Sequence, residues 1–496
     1  MNTRQNNRPV RFFHRGEVVE VADLPPTTTV LQYLREHAGC TGTKEGCAEG
    51  DCGACTVIQG ELDAAGQLQL KNVNACTQFL PTLDGRALLT VEDLGGPERL
   101  SPAQQALVDC HGSQCGFCTP GFVMSLTACY EAHQAAGTRP DRQQLADALA
   151  GNLCRCTGYR PILDAGEQMF DAPARRLDRA PIAAALRALA GDEPLDYGPT
   201  GARFHAPRTL PDLALLRETY PDATLLAGST DIGLWVNKQF RELPHLIYTG
   251  RVDALREIRD EAIDGQPGLW IGAAASLEDA WARLSELAPA LAELWRRFAS
   301  PPVRHAGTLG GNIANGSPIG DGAPALIALS AEVVLRRGTQ QRRLPLEAFY
   351  LDYMKKDLQP GEFVEALHCP KPDTSWAISA HKISKRHDSD ISAVCAVLAL
   401  QLRNGTVQQA RFVYGGMAAI VKRAAAAEAA VVGQPLVEAT AEAAAAALPQ
   451  DFKPLTDMRA SDAYRLKVAQ NLLRKLWLET LDRRTISVWR TGRLAA

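Results

Sequence analysis

The sequence predicts a multidomain α+β protein, and three observations carry that prediction. Its 496 residues exceed what one ordinary core organises and suit about three domains. Eleven of the 13 cysteines lie between Cys40 and Cys156, within the first third of the chain. The hydrophobic pattern also changes along the chain, from strand-like before residue 95 to helical up to about residue 173, and to mixed beyond residue 200. The content of 46% hydrophobic and 22% charged residues is that of a globular protein, and a formal net charge of −3 gives no electrostatic reason to expect nucleic acid. The amino-terminal MNTRQNNRPVRFFHRGE lacks the apolar run of a signal peptide, and no stretch approaches the roughly 18 apolar residues of a membrane span. A cytoplasmic protein without a membrane partner is expected.

In chain order, residues 8–22 read as two short strands turning at His14, Arg15 and Gly16, and Thr28 is placed to cap a helix carrying Leu31 and Leu34. Residues 39–53, rich in Gly and Cys, suit a loop wrapped round a prosthetic group. CTVIQG and QLQLKNV then read as strands. Helices are expected after Ser101-Pro102, after Thr119-Pro120, after Asp141 and over PILDAGEQMF, which makes a small helical bundle. The charged, Ala-rich stretch that follows reads as a linker with a short helix. Strand-like runs and helical patterns alternate from residue 200, a hairpin is predicted across Asn404-Gly405, Ala-rich helices follow, and an amphipathic helix closes the chain over residues 464–481.

Clustered thiols in a reducing compartment favour metal binding over disulfides. Cys47, Cys52 and Cys55, with Cys76 further on, have the plant-type ferredoxin spacing of four residues, then two, then one distant cysteine. A Gly-rich loop can curl three thiolates round a [2Fe-2S] core while a remote segment supplies the fourth; a tetrahedral zinc site takes the same ligands. The second set pairs Cys115 and Cys118 with Cys154 and Cys156. Cys110 repeats the four-then-two spacing, but its use would strand one member of the Cys154/Cys156 pair, and it reads as the tail of a helix. Cys129 falls about three turns past Cys118 on a helix, too far to close the set. Cys369 and Cys395 read as ordinary buried residues.

The stretches GTKEGCAEGDCGACTV, HGSQCGFCTPGFVMS and GNLCRCTGYRPI resemble the iron-sulfur signatures of the molybdenum hydroxylases, and their order resembles that of the xanthine dehydrogenase branch over nearly the whole chain. The resemblance implies a β-grasp [2Fe-2S] ferredoxin domain over residues 1–92 and a four-helix-bundle [2Fe-2S] domain over 93–173. A linker over 174–200 leads to a vanillyl-alcohol-oxidase-type FAD domain over 201–378 and an α+β C-terminal subdomain over 379–496. It assigns the eight cysteines above as ligands of two clusters and gives Cys40, Cys110 and Cys129 no such role.

No GxGxxG or GxxxxGKS/T motif occurs, so a dinucleotide must be held otherwise. Two Gly-rich stretches stand out as loops able to offer backbone N–H groups to a pyrophosphate. The first runs through Leu225, Leu226, Ala227, Gly228, Ser229, Thr230, Asp231 and Ile232. The second starts with Thr308, Leu309, Gly310, Gly311 and Asn312 and continues to Asp321. On composition alone, tight turns explain them equally well. Both resemble the FAD-binding loops of the same family, in which Phe298, Asp321, Val364 and Lys382 fall at further flavin-contacting positions and Tyr353 near the nicotinamide. Lys382 has an alternative reading as a surface lysine of the charged run HKISKRHDSD. The sequence departs from the commoner family wording at Ser229-Thr230-Asp231 and at Gly320.

The chain ends at Ala496 without the large molybdopterin domain of this family, so the resemblance implies a separate molybdopterin-binding subunit in a heterotetramer of two small and two large subunits. Hypoxanthine or xanthine is then hydroxylated on the partner, in purine catabolism. Electrons pass through the bundle cluster, the ferredoxin-like cluster and FAD to NAD+. The ten histidines form no constellation, and no general acid or base is expected on this chain.

Overall fold

The computed structural model describes residues 8–96, 98–191 and 193–482. The chain forms two compact units, one of Met1–Asp253 with Ser300–Gly307, the other of Ala254–Ala299 with Thr308–Ala496.

The first unit opens on a five-stranded sheet in the order Glu17–Val21, Val10–His14, Ala87–Leu89, Thr56–Leu62, Leu68–Asn74. Only the pairing of Val10–His14 with Ala87–Leu89 is parallel; the others are antiparallel, and one short helix crosses the sheet, a β-grasp arrangement. That helix is capped by Thr29, not by the expected Thr28, because the capping box needs Gln32 three residues on, and Gln32 Oε1 accepts from the Thr29 amide at 2.8 Å. It continues as a wider turn over Tyr33–His37. Phe12, Val57, Phe79, Leu31 and Leu34 bury against one another under the sheet.

Four helices follow, as predicted: Pro102–Asp109, Thr119–Ala136, Arg142–Ala148 and Arg160–Gln168. Ser101 and Asp141 cap the first and third through capping boxes with Gln104 and Gln144. Arg179–Leu189 is a fifth helix whose Ile182, Leu186 and Leu189 pack into the same core as Phe122, Leu126 and Ile58. A four-stranded sheet then runs Leu195–Tyr197, Arg203–Ala206, His245–Tyr248, Thr224–Leu226. Its Leu195, Tyr197, Phe204 and Tyr248 share the buried core of Phe12 and Phe79. The short helix Pro301–Ala306 returns to this unit, where His305 Nδ1 meets the Asn72 carbonyl at 3.0 Å.

The second unit holds a five-stranded antiparallel sheet in the order Ile258–Ile263, Gln266–Gly272, Phe363–Pro370, Glu332–Arg337, Gln340–Pro345. Trp281, Leu284, Leu309, Ile313 and Leu326 cover it. A four-stranded sheet follows, with Val394–Arg403 and Thr406–Gly415 joined across Asn404-Gly405 as predicted; both turn residues are left-handed, with φ of 51° and 74°. The helices Ala425–Val431, Glu438–Asp451 and Asp462–Asp482 pack on it. Residues 309–315, read from sequence as part of a loop, form a short helix capped by Thr308. No helix among the described residues is long and apolar enough to cross a membrane.

In the second unit, burial lowers the pKa of His381 to about 4, with the Lys475 charge acting in the same sense. The neutral imidazole meets Ser379 Oγ at 2.7 Å. A histidine held neutral in the folded state contributes stability above its unfolded pKa of about 6.5 and loses it as pH falls toward the folded value. We expect His381→Gln to remove a decline on the order of 2 kcal/mol between pH 6.5 and 4, read as the difference between variant and parent denaturation curves.

Candidate iron-sulfur and flavin sites

The loop over residues 47–55 curls so that its cysteines face the start of the segment after Leu68–Asn74. Cys55 Sγ lies 3.3 Å from Cys76 Sγ, and the Cys52 amide points at Cys47 Sγ at 3.4 Å. Cys55 and Cys76 are buried, Cys47 and Cys52 half-buried. Hydrogen bonds from the Cys52 and Cys76 thiols pull the Cys47 pKa far below the ordinary thiol range, and the same bonds raise the two donors.

The second set is assembled from the turn that precedes the Thr119–Ala136 helix and from the loop that precedes Arg160–Gln168. Cys118 pairs with Cys154 and Cys115 with Cys156. Burial, then the bond to Cys154, pushes Cys118 up to about 12. Burial opposes ionisation of Cys154 too, but the Thr157 hydroxyl at 3.1 Å and the Thr157 amide outweigh it and lower its pKa. Cys115 and Cys156 are exposed.

Each set of four sequence-selected thiols is thus brought together, and the other cysteines of the region are not. Cys110 caps its helix and donates to Gln168 Oε1 at 2.8 Å; Cys129 is buried within a helix, and Cys40 lies 3.6 Å from His14 Nε2. Among the described residues, no three or more His, Cys, Asp or Glu are gathered as ligands of a single ion would be. Each set gathers four thiols, and four thiolates round two irons are the donor set that a [2Fe-2S] core requires.

Contacts absent from the sequence reading join the two sets. The Leu153 amide donates to the Cys52 carbonyl at 3.0 Å. Asn152, 3% exposed, donates from Nδ2 to the Gly53 carbonyl at 3.0 Å and to Thr56 Oγ1 at 3.2 Å. The first set is tied in turn to the first Gly-rich stretch. Asn237 Nδ2 donates to the Cys76 carbonyl at 2.7 Å and the Ala48 carbonyl at 3.1 Å, and Gln78 Nε2 donates to the Gly228 carbonyl at 2.8 Å. Asn152 stands two residues before Cys154 and Gln78 two after Cys76, but nothing in the sequence marks the carbonyl that each of these amides meets.

Leu225 and Leu226 end the strand Thr224–Leu226, Ala227 to Asp231 make a turn, and Ile232 starts a helix. A Cβ on Gly228 would fall 2.0 Å from the Ala306 carbonyl oxygen, so only glycine fits this approach. The backbone N–H groups of Gly228, Ser229, Thr230 and Asp231 have no hydrogen-bond acceptor among the described residues. Ser229 is left-handed at φ 60°, and its buried Oγ has no partner among the described residues. Free amides and an orphaned hydroxyl in one turn fit a diphosphate.

The second stretch differs from expectation. The amides of Leu309, Gly310, Gly311 and Asn312 are already bonded, to the Ala275 and Ala273 carbonyls, Thr308 Oγ1 and the Thr308 carbonyl. Its folding into a helix against the Gln266–Gly272 strand consumes the donors that a loop would leave open. Asp321 and Lys382 meet at 2.6 Å with side chains 3% and 2% exposed. Ser392 Oγ bridges them, donating to Asp321 Oδ1 at 2.6 Å and accepting from Lys382 Nζ at 3.0 Å. Lys382 is therefore not a surface lysine; its strand pairing opposite Cys395 points it into the unit. Phe298 packs on Trp281 and Val364 lies in the sheet core, both buried, whereas Tyr353 is exposed.

Four family sequence models match the chain: a 2Fe-2S iron-sulfur cluster binding domain over residues 12–80, a [2Fe-2S] binding domain over 90–167, the FAD binding domain in molybdopterin dehydrogenase over 200–372, and the CO dehydrogenase flavoprotein C-terminal domain over 379–480. The chain belongs to the molybdenum hydroxylase family. It carries two 2Fe-2S domains and an FAD-binding domain of that family. It is 32% identical to a xanthine dehydrogenase of Drosophila pseudoobscura pseudoobscura, over 90% of this chain and 38% of that protein. It is 31% identical to aldehyde oxidase 2 of Cavia porcellus, over 82% of this chain and 34% of that protein. The chain thus spans little more than a third of these relatives' length. A chain of the carbon monoxide dehydrogenase of Hydrogenophaga pseudoflava superposes with a TM-score of 0.51 at 27% identity, covering 55% of this chain and 94% of that one.

Two substitutions separate the thiol sets from their neighbours. Cys154→Ser should lower iron from about four to about two atoms per chain, whereas Cys110→Ser should leave it unchanged, measured by metal and labile-sulfide analysis of the native protein. For the buried ion pair, Lys382→Met should destabilise the second unit by about 3–5 kcal/mol because it strands Asp321, and Lys382→Met with Asp321→Leu should recover part of that loss in denaturant unfolding.

Proposed function

We propose that this chain is the electron-transfer subunit of a xanthine dehydrogenase. A separate molybdopterin subunit hydroxylates hypoxanthine or xanthine, and the two-electron yield leaves through this chain to NAD+. Cys115, Cys118, Cys154 and Cys156 hold one [2Fe-2S] cluster, and Cys47, Cys52, Cys55 and Cys76 the other. The turn 228–231 would take the FAD diphosphate. When bound, the clusters supply single-electron transfer and the flavin supplies two-electron storage with hydride release.

The observation that carries this reading is the hydrogen-bonded succession within the first unit, from the Cys154 loop to the Cys52 loop and from Cys76 to the 228–237 segment. The residues of the chain orient and insulate. Asn237 and Gln78 fix the cysteine loop against the turn that bears the free amides, and Thr157 holds the Cys154 sulfur toward its thiolate form. A heterotetramer of two small and two large subunits in the cytoplasm is the assembly we infer.

A second reading, a hydroxylase of aldehydes or N-heterocycles, is favoured by the 31% identity to aldehyde oxidase 2, close to the 32% of the xanthine dehydrogenase. Substrate choice is made on the partner, so activity of the native complex discriminates. Xanthine should drive NADH formation while aldehydes do not. Aldehyde-dependent reduction without any response to xanthine would select the second reading, and purification without a molybdopterin subunit would overturn both.

A further inference from the structure

We propose that Asn152 is a positioning residue for electron transfer between the two cysteine sets, a clamp whose carboxamide is oriented by Ser125 and Asn72. This rests on the reading that both sets hold clusters. Neither Asn152 nor its partners is a cysteine ligand or a flavin contact.

The donor-acceptor directions of the clamp are fully determined. The Gly53 carbonyl can only accept, so the Asn152 nitrogen faces it, at 3.0 Å. The Asn152 oxygen therefore faces Ser125, which donates to it at 2.6 Å. The Ser125 oxygen, its proton so committed, accepts from Asn72 Nδ2 at 3.3 Å. Asn72, Ser125 and Asn152 are 3%, 1% and 3% exposed, so no water competes for these groups. A buried polar chain with every member satisfied specifies one arrangement of the segments it joins.

Here it joins the strand Leu68–Asn74, the helix Thr119–Ala136, the loop before Cys154 and the loop after Cys52. Close packing fixes the same contact: a Cβ on Gly53 would fall 2.2 Å from the Gly151 carbonyl oxygen, and one on Gly121 would fall 2.1 Å from the Gly53 carbonyl oxygen. The result is the direct Leu153 N–H to Cys52 carbonyl bond at 3.0 Å, which links a residue adjacent to one ligand with another ligand itself. Electron transfer depends steeply on separation and on the bonded route across it. The transfer served moves one electron, with no bond made or broken and no proton relayed.

Asn152→Asp keeps the oxygen toward Ser125 and sets an oxygen against the Gly53 carbonyl; Ser125→Ala, a milder change, removes only the orienting hydroxyl. In the native complex, each reduced centre should keep its own paramagnetic signal in both variants while the magnetic coupling between the two weakens. Exchange of the Leu153 amide should rise about tenfold. A purely structural role would leave the coupling untouched. Unchanged coupling and unchanged Leu153 exchange in both variants would overturn the clamp. A native chain without iron would instead overturn the cluster reading, and the positioning role with it, whatever the exchange rates.

Discussion

The contact that the first unit depends on is the meeting of two glycine-bearing loops, Gly53 on one and Gly151 on the other, with Gly121 on the helix beneath. No side chain larger than hydrogen fits at Gly53 or Gly121 without moving backbone. That constraint brings the Cys52 carbonyl within reach of the Leu153 amide and so puts two cysteine sets from separate stretches of the sequence into one hydrogen-bonded block. The β-grasp sheet and the helices serve as its two jaws. Their cores are apolar and forgiving, whereas the seam between the loops is polar, glycine-lined and specific.

Polar satisfaction separates the two Gly-rich stretches that composition treats alike. At residues 228–231 the turn has left its amides open and Ser229 Oγ without a partner, an arrangement costly in an empty buried site and natural where an anion supplies the acceptors. At residues 309–312 the helix has claimed every amide. What that part of the second unit offers is a closed ion pair, Lys382 with Asp321, trimmed by Ser392 so that each charged group is matched. Burying two charges is tolerable because each meets the other and both are hydrogen-bonded to Ser392.

Much of this was legible in the sequence. The strands at 8–22, the Ser101, Thr119 and Asp141 helix starts and the Asn404-Gly405 hairpin follow from local chemistry, and local chemistry prevailed. Spacing alone admitted Cys110; the unmatched Cys154/Cys156 pair and its place at a helix end set it aside, and helix geometry set aside Cys129. The cap at Thr29 was missed by one residue, since the deciding partner, Gln32, lies downstream. The helix at 309–315 was missed because its two glycines disfavour helix, and its support comes from the distant Ala273 and Ala275 carbonyls. Lys382 sits in a charged run, and only the pairing with Val394–Arg403 reveals that it points inward. Asn152, Asn237 and Gln78 were invisible for the same reason: a buried amide is defined by the carbonyl it meets, and that carbonyl lies elsewhere in the chain.

The core shared by Phe12, Phe79, Leu195, Phe204 and Tyr248 has a consequence for how such a chain is inherited. The family domains divide it near residue 200, yet the hydrophobic interior runs straight across that line and the compact unit continues to Asp253 and takes in Ser300–Gly307. Recombination that respected the family boundary would expose apolar faces on both products. The segments that the family domains delimit and the bodies that fold are therefore different partitions of the same polypeptide.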